Sequence, residues 1–235
     1  MHKGKLYLIP TTLGVNNFDQ VLPNYNREII FGLDNFVVEE LRTARRFLRA
    51  YGYEKDFEEV GFNLLNEHTK TQEISTYLDV CKQGGNLGLL SEAGVPCIAD
   101  PGNEVVKLAH QQGIEVVPLV GPTSIILSLM ASGFNGQNFA FLGYLPVKPP
   151  ERNKKLKQLE QTIFKDNQTQ IFIEAPYRND KLMQAMCENL SNEIVICVAC
   201  EITTSEQFIQ SKSVKEWKKK LPELHKKNTI FLLYK

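Results

Sequence analysis

Apolar and polar positions along the chain follow two alternating spacings. Short runs rich in Val, Ile, Leu and Phe, such as 86–91 and 169–175, are typical of buried strands. Between them, apolar residues recur every three to four positions, as they do in amphipathic helices. The predicted strands are 5–10, 35–40, 86–91, 114–119, 138–144, 169–175, 193–202, 206–211 and 228–235. The predicted helices are 39–52, 70–83, 101–113, 122–133, 151–165, 177–190 and 213–221. This alternation predicts an α/β protein.

The connections between strands differ in the two halves of the chain. Helices separate the strands of the first half, which predicts right-handed crossovers in a mostly parallel sheet. In the second half only Thr203 to Ser205 separate two strands, which predicts a hairpin and therefore a mixed sheet. Pro and Gly interrupt the segment VVPLVGPTS at 116–124. We therefore expect two α/β domains, 1–118 and 119–235.

Composition narrows the class of partner. The 27 basic and 27 acidic residues cancel, so any nucleic-acid partner must be bound by a local patch rather than by overall charge. The segment 148–160, KPPERNKKLKQLE, is such a candidate, although a solvated helix face is the more common explanation. No run has the roughly 20 apolar residues of a spanning helix, and the amino terminus lacks a signal-peptide core. We expect a cytoplasmic protein without a membrane partner, its five cysteines reduced.

Several common motifs are absent from the sequence. No GxGxxG, Walker-type phosphate loop or GxSxG occurs. Cys197 and Cys200 have metal-ligand spacing, but on a strand residues three apart point to opposite faces. The four histidines have no HxxxH-type spacing. We therefore expect neither a metal site nor a standard dinucleotide site.

The strand LGLL is followed by a loop of unusual composition, SEAGVPCIADPG at 91–102. In an open α/β sheet, ligands bind beyond the carboxyl ends of the strands. Gly94 and Gly102 permit close backbone approach, and Asp100 can cap the following helix. The segments 10–14, 39–42 and 174–178 also follow predicted strands. The sequence predicts that these loops line one ligand cleft, whereas a simple turn with a helix cap is the alternative for the loop at 91–102.

The same loop resembles the hallmark loop of the tetrapyrrole methylase superfamily, in its branch that methylates ribosomal RNA of the small subunit. Further resemblances follow in the family's order along nearly the whole chain: KLYLIPTTLG (5–14), VVEELRTARRFL (37–48), LLNEHT (64–69), VPLVGPTSIILSLMASGF (117–134), FLGYLPVKPPERNKKLKQLE (141–160), IFIEAPYRNDKLM (171–183) and VACEIT (198–203). Together they identify the chain as a member of these class III methyltransferases.

The resemblance implies the family's fold and activity. It implies a mostly parallel N-terminal sheet and a mixed C-terminal sheet, with a cleft between them for S-adenosylmethionine, and a homodimer that needs no metal. The implied reaction is methylation of the ribose 2′-hydroxyl of a cytidine in the decoding region of 16S ribosomal RNA, so that the partner is ribosomal RNA or the small ribosomal subunit. In-line transfer to a hydroxyl requires alignment, removal of the hydroxyl proton and exclusion of water.

The resemblance also implies site residues. Those implied to bind the cofactor are Pro10, Thr11, Ser91, Glu92, Ala93, Gly94, Thr123, Ser124, Ile125, Ile173, Ala199, Thr229, Ile230 and Phe231. The candidates on the RNA side are Glu39, Arg42, Asn66, Glu67, Tyr177 and Arg178. Of these, Glu39, Arg42 and Glu67 are the catalytic candidates, whereas Asn66, Tyr177 and Arg178 are expected to bind the substrate.

The chain departs from the family pattern at several positions. Glu92 replaces an aspartate, and Leu41 replaces the threonine of an acidic-threonine-arginine pattern. Cys200 and Thr204 stand where the family has arginine and lysine. A threonine hydroxyl cannot replace the lysine as a base, so Glu39 or Glu67 is expected to remove the proton. The alternatives left open are a small-molecule acceptor and a non-catalytic module that binds RNA or the ribosome.

Overall fold

The computed structural model describes residues 2–14, 17–66, 69 and 71–235. It divides into two compact units, Met1–Thr123 and Ser124–Lys235. The division falls in the segment 116–124, whose Pro and Gly residues are the reason for the predicted boundary after residue 118. Each unit is built around its own sheet of five strands within these residues.

The first unit contains a wholly parallel sheet within the described residues. Its strands are β1 (Lys5–Ile9), β2 (Asn35–Val38), β3 (Gly61–Leu64), β4 (Leu87–Leu90) and β5 (Glu115–Pro118), in the order β3-β2-β4-β1-β5. Its helices are α1 (Asn24–Phe31), α2 (Leu41–Tyr51), α3 (Thr71–Tyr77), α4 (Asp79–Lys82) and α5 (Asn103–Gln111). The predicted parallel N-terminal sheet is confirmed.

The core of the first unit covers both faces of this sheet. Ile9, Phe36 and Leu90 pack in one cluster with α1 and α2, whereas Leu6 and Leu89 pack in another with α3 and α5. Because successive side chains of a strand point to opposite faces, central β4 must be apolar throughout, and all of its residues are buried. This double burial explains the uninterrupted LGLL run and fixes the carboxyl end of β4 in the middle of one sheet edge.

The second unit contains a mixed sheet. Its strands are β6 (Phe139–Tyr144), β7 (Thr169–Ile173), β8 (Val195–Cys200), β9 (Phe208–Ser213) and β10 (Thr229–Tyr234), in the order β6-β7-β10-β8-β9. Its helices are α6 (Ser124–Ser132), α7 (Pro149–Asp166), α8 (Asn179–Asn189) and α9 (Val214–Trp217). β6 and β7 are parallel, and the other neighbouring pairs are antiparallel. The predicted β8–β9 hairpin and mixed sheet are confirmed.

The two sulfur-bearing residues of β8 lie on opposite faces of that sheet. Cys197 packs in a cluster with Leu129 of α6, whereas Cys200 packs with residues of α7 and α8. Both cysteines are buried and free. The predicted divergence of the CVAC thiols is confirmed.

Some elements differ from the prediction. The prediction lacks β3, whose side chains are half-buried or exposed at a sheet edge and so give no clear apolar pattern. It also lacks α1, in which only Asn26 and Ile30 are buried. The predicted helix 70–83 is divided into α3 and α4 at Leu78, and α9 is shorter than the predicted 213–221. None of the described helices is both long and apolar enough to cross a membrane.

The start of α2 is the difference that matters for function. The prediction places the helix start at residue 39, but Glu40 is the N-cap. Its carboxylate accepts hydrogen bonds from the backbone N–H groups of Arg42, at 2.9 Å, and Thr43, at 2.7 Å. A carboxylate at this position stabilises the first turn. Glu39 therefore lies between β2 and the cap, at the carboxyl end of the strand.

Candidate active site

The loops that follow β1, β4 and β5 are joined at the carboxyl edge of the first sheet. Ser91 donates its backbone N–H to Ile9 O at 3.2 Å, and Thr11 donates its own to Gly94 O at 2.9 Å. The ladder thus continues past the strand ends into the loops. Pro10, Thr11, Ser91 and Gly94 are all buried there. The first unit brings together these four sequence-predicted residues.

Two glycines allow the backbones of these loops to approach closely. Gly94 has a φ of +74°, and a Cβ on it would lie 3.0 Å from the carbonyl oxygen of Pro122. A Cβ on Gly121 would lie 2.2 Å from Cβ of Pro10. Any side chain at either position would force the loops apart. The glycines that the sequence places after β4 and β5 therefore determine the width of this edge.

The same edge carries polar groups that a ligand could engage. Thr11 is only 4% exposed, and its buried hydroxyl has no hydrogen-bond partner among the described residues. The Ser91 hydroxyl accepts from the backbone N–H of Ala93 at 3.2 Å, and Glu92 and Ala93 are exposed. A buried hydroxyl without a partner is costly in the free protein. A hydroxyl and an exposed carboxylate on the same loops suit a ligand that carries hydroxyl and ammonium groups.

A group of carboxylates lies beside this loop. Burial, together with the negative charges of Asp100 and Glu92, raises the pKa of Glu39 to about 7, although a backbone hydrogen bond from Glu92 acts in the opposite direction. Asp100 accepts from the backbone N–H groups of Cys97, at 2.8 Å, and Gly102, at 2.8 Å, which holds it in place. A carboxylate with a pKa near neutrality can accept a proton at physiological pH.

Thr43 connects α2 to the loop after β4. Its hydroxyl lies 2.7 Å from Glu92 Oε1 and 3.0 Å from the carbonyl oxygen of Glu40. The Glu92 side chain is exposed, so this contact restricts its position. Sequence reasoning missed Thr43, because only the adjacency of β2 and β4 in the sheet brings the first turn of α2 to this loop.

The loop between Cys97 and Gly102 is strained. Cys97 and Ala99 have φ values of +67° and +64°, in the left-handed region that non-glycine residues rarely adopt. A Cβ on Gly102 would lie 2.9 Å from Asp100 Oδ1. Residues held in such conformations cost of order 1–3 kcal/mol each and cluster at functional sites. The Asp100 hydrogen bonds maintain the strained turn next to Glu39.

The second unit brings together another group of predicted residues. Ile230 pairs with Ile173 of β7 and with Ala199 of β8, so these three side chains form one row on one sheet face. Ile125 of α6 packs against the same cluster. Phe231 instead points to the opposite face, where it stacks on Phe172 with ring centroids 6.0 Å apart.

Three predicted cofactor residues remain, Thr123, Ser124 and Thr229. The Thr229 hydroxyl donates to Lys227 O at 3.2 Å. Thr123 ends the first unit, and Ser124 begins both the second unit and α6.

Tyr177 and Arg178 lie in a short 3₁₀ turn, Pro176–Arg178, after β7. The Arg178 guanidinium donates from Nε to buried Glu174 at 2.9 Å and from Nη1 to the Tyr177 hydroxyl at 2.6 Å. Its Cζ also lies 5.0 Å from the centre of the Tyr177 ring. Tyr177 is 61% exposed. Arg178 is thus partly neutralised and positions an exposed aromatic ring.

The other acceptor-side candidates are in the first unit. Arg42 is exposed in the first turn of α2. Asn66 donates its backbone N–H to Thr69 Oγ1 at 2.9 Å. Glu67 lies outside the described residues. Within the described part of the chain, no three His, Cys, Asp or Glu side chains are grouped to hold a metal ion.

Comparison with known proteins assigns the family. Residues 28–217 match the model of the family described as Tetrapyrrole (Corrin/Porphyrin) Methylases. The chain belongs to the tetrapyrrole methylase family. It is accordingly a methyltransferase that uses S-adenosylmethionine.

Two bacterial relatives of this methylase carry the name Ribosomal RNA small subunit methyltransferase I. The protein from Vibrio cholerae serotype O1 (strain ATCC 39315 / El Tor Inaba N16961) is 32% identical over 212 residues, which are 90% of this chain and 69% of that protein. The protein from Bacillus subtilis (strain 168) is 34% identical over 208 residues, which are 88% of this chain and 67% of that protein.

Solved structures of other methylases share the fold. The methyltransferase CobJ has a TM-score of 0.65 at 16% identity, with 98% of this chain and 94% of that chain covered. Uroporphyrin-III C-methyltransferase from Thermus thermophilus, complexed with S-adenosylhomocysteine, has a TM-score of 0.60 at 14% identity, with 99% and 98% covered. The predicted two-domain fold class is confirmed.

In the loop after β8 of this tetrapyrrole methylase, the Thr204 side chain forms hydrogen bonds within the loop itself. The Thr204 hydroxyl donates to Glu201 O at 2.8 Å and accepts from the backbone N–H of Glu206 at 3.1 Å. Cys200 is buried, which raises the pKa of its thiol. Neither residue therefore offers a base to a ligand.

Proposed function

We propose that this methyltransferase modifies RNA of the small ribosomal subunit, at the ribose 2′-hydroxyl of a cytidine in the decoding region. The proposal of an RNA acceptor rests on the likeness to the two proteins named Ribosomal RNA small subunit methyltransferase I. The likeness extends over 88–90% of this chain at 32–34% identity. The uroporphyrin-III methyltransferase matches at only 14% identity. The sequence likeness therefore favours RNA over a tetrapyrrole as acceptor.

We also propose which residues hold the cofactor. Those from the first unit are Pro10, Thr11, Ser91, Glu92, Ala93, Gly94 and Thr123, and those from the second are Ser124, Ile125, Ile173, Ala199, Thr229, Ile230 and Phe231. The Thr11 hydroxyl would gain the hydrogen-bond partner that it lacks. The row formed by Ile173, Ala199 and Ile230 is apolar, as a surface for a base ring requires. Phe231 would contribute its backbone only. When bound, the cofactor supplies an activated methyl group.

Glu39 is the proposed proton acceptor. When the acceptor oxygen bonds to the methyl carbon, the bond from that carbon to the cofactor sulfur would break and release S-adenosylhomocysteine. The hydroxyl proton would pass to Glu39, whose pKa of about 7 suits that role. Burial is the largest cause of this raised pKa, and the negative charges of Asp100 and Glu92 add to it. Glu67 remains a second catalytic candidate, and Arg42 lies close in sequence to Glu39 at the start of α2.

On the RNA side, Asn66, Tyr177 and Arg178 are the proposed substrate contacts. The exposed Tyr177 ring, backed by the Arg178 guanidinium, suits stacking on an unpaired base. Arg178 pairs with Glu174, so its guanidinium is partly neutralised where it supports the ring. A homodimer in the cytoplasm completes the proposal, and analytical ultracentrifugation of the purified protein tests the dimer.

The deciding experiment measures methylation of small ribosomal subunits. Subunits from a strain that lacks this protein should accept a labelled methyl group in vitro, and mass spectrometry should locate it on the ribose of a decoding-region cytidine. Glu39→Gln protein that still binds S-adenosylhomocysteine is the matched control and should transfer little label. Unlabelled subunits together with labelled tetrapyrroles would overturn the RNA proposal and favour a small-molecule acceptor.

A further inference from the structure

One face of α2 carries four arginines: Arg42, Arg45, Arg46 and Arg49. With about 100° between successive residues of a helix, they occupy an arc of roughly 100°. We call this surface the arginine stripe. The opposite face holds the buried side chains of Ala44, Leu48 and Tyr51. Three of the arginines, Arg42, Arg46 and Arg49, are exposed.

Ion pairs within the described part of the chain do not neutralise the arginine stripe. None of its members forms an ion pair with an Asp or Glu side chain among residues 2–14, 17–66, 69 and 71–235. By contrast, Arg27 pairs with Asp19 at 3.1 Å. Unpaired guanidinium groups along one helix face create a local positive potential in a chain whose formal net charge is zero.

Aromatic rings hold part of the arginine stripe in place. Arg45 Cζ lies 5.2 Å from the Phe62 ring centre and 5.5 Å from that of Phe57, and its Nε is buried without a hydrogen-bond partner. Arg49 lies 4.1 Å from the Phe57 ring and donates to Tyr53 O at 2.6 Å. These contacts fix the guanidinium groups without cancelling their charge. This half of the stripe, Arg45 and Arg49, is therefore preorganised, which lowers the entropy cost of binding an anion nearby.

We propose that the arginine stripe binds the phosphate backbone of the acceptor RNA. The proposal rests on the proposed RNA methyltransferase function, which supplies the polyanion. Guanidinium groups bind phosphates with charge-assisted, often bidentate hydrogen bonds. Glu39 immediately precedes Glu40, the N-cap of α2. The arginine stripe and the proposed proton acceptor therefore lie on one continuous segment of the chain. A membrane surface is disfavoured because the apolar face of α2 is buried in the protein core.

The test compares charge removal on α2 with charge removal elsewhere in the same unit. The full-length Arg46→Gln variant is measured against Lys107→Gln, an exposed cation of α5, and against Arg46→Lys, which keeps the charge. The probe is a fluorescein-labelled hairpin with the decoding-region sequence of 16S ribosomal RNA, titrated at several salt concentrations. Removing one phosphate contact should lower the slope of log affinity against log salt by about 0.7–0.9 and weaken binding roughly three- to tenfold at 0.1 M salt.

Lys107→Gln should match the wild type, and Arg46→Lys should recover most of the lost affinity. Equal affinity and slope for Arg46→Gln and the wild type would overturn the inference. Unchanged hairpin binding with weakened binding of intact small subunits would also overturn it, since the stripe would then contact a ribosomal protein. Stronger binding of the wild type than of Arg46→Gln to phosphatidylserine vesicles, with hairpin binding unchanged, would assign the stripe to a membrane instead.

Failure of the proposed function has a separate signature. If the wild type binds S-adenosylhomocysteine but transfers no methyl group to small subunits, the RNA methyltransferase proposal fails whatever the stripe does. If the wild type methylates subunits and Arg46→Gln does so with the same KM, only the stripe inference fails.

Discussion

The loop after β4 and the loop after β8 have the same kind of strained backbone but different uses of their polar groups. Each contains two non-glycine residues with positive φ, Cys97 and Ala99 in the first and Glu201 and Thr203 in the second. In the loop after β8, the Glu201 carboxylate accepts from the backbone N–H of Asn228 at 2.5 Å, and the Thr204 hydroxyl bonds within its own turn. The strain there supports a stable turn.

The loop after β4 instead faces groups that are poorly satisfied in the free protein. Glu39 has a raised pKa beside Asp100 and Glu92, and the Thr11 hydroxyl lacks a partner. Holding carboxylates together against their mutual repulsion lowers the stability of the folded protein. Such groups are frequent at functional sites. The Thr204 hydroxyl is therefore committed to its own turn, whereas the proposed proton acceptor, Glu39, follows β2.

The largest expected effect tests whether Glu39 is that acceptor. Glu39→Gln keeps the size of the side chain but cannot accept a proton, so the rate of methyl transfer should fall by about 10²–10⁴. Affinity for S-adenosylhomocysteine, measured by calorimetry, should change little. Thr204→Ala is the control from the other loop and should keep the wild-type rate. A greater loss of rate in Thr204→Ala than in Glu39→Gln would reverse the comparison.

The pH dependence of the methyl-transfer rate and of stability, in the wild type and in Glu39→Gln, tests the role of Glu39 further. Because burial and neighbouring charge raise the pKa of Glu39 to about 7, the wild-type rate should rise with pH below 7 and level off above it. The folded chain binds this proton more tightly than the unfolded chain, so Glu39 costs stability as pH rises from its ordinary pKa of 4.5 to about 7. Glu39→Gln should therefore be at least as stable as the wild type at pH 8 in urea unfolding. A clear loss of stability there would contradict the raised pKa.

The next effect concerns the close approach of the loops at Gly94. Gly94→Ala places a side chain at a φ of +74°, where a Cβ would lie 3.0 Å from Pro122 O. Gly133 is a matched control, because its φ is +77° and a Cβ there would meet nothing within 4 Å. Both variants should lose about 1–2 kcal/mol from the backbone conformation. Gly94→Ala should lose roughly 1 kcal/mol more through crowding and should also bind S-adenosylhomocysteine more weakly.

Denaturant unfolding and calorimetry of the two glycine variants separate these contributions. Equal losses of stability with unchanged cofactor affinity in both would show that the close approach at Gly94 has no role in the site.

The sequence predicted much of this fold because its physical signals are local. The all-apolar LGLL run indicates a strand buried on both faces, and the short Thr203 to Ser205 connection indicates a hairpin. By contrast, β3 has no strong alternation, because its edge position leaves Leu64 47% exposed. Composition cannot identify such a strand, whose pairing with β2 provides most of its order.

The candidate site was predictable only in part. The loop at 91–102 stands out through its Gly, Pro and acidic residues, and its position after a strand indicates a ligand edge. The raised pKa of Glu39 and the contact from Thr43 to Glu92 depend on β2 lying beside β4, which are far apart in sequence. A parallel sheet can order its strands in several ways, so these pairwise contacts required the structure.

The smallest expected effect compares two threonine hydroxyls, one from each side of the comparison. Thr43 Oγ1 lies 2.7 Å from Glu92 in a neighbouring loop, whereas Thr204 Oγ1 bonds only within its own turn. Thr43→Val should release the Glu92 side chain, because it removes one hydrogen bond to that exposed carboxylate. Binding of S-adenosylhomocysteine should then weaken by about three- to tenfold. Thr204→Val should cost stability of the second unit without changing that affinity. Calorimetric titration of both variants measures the difference, and an equal change in the two would mean that the position of Glu92 does not govern cofactor binding.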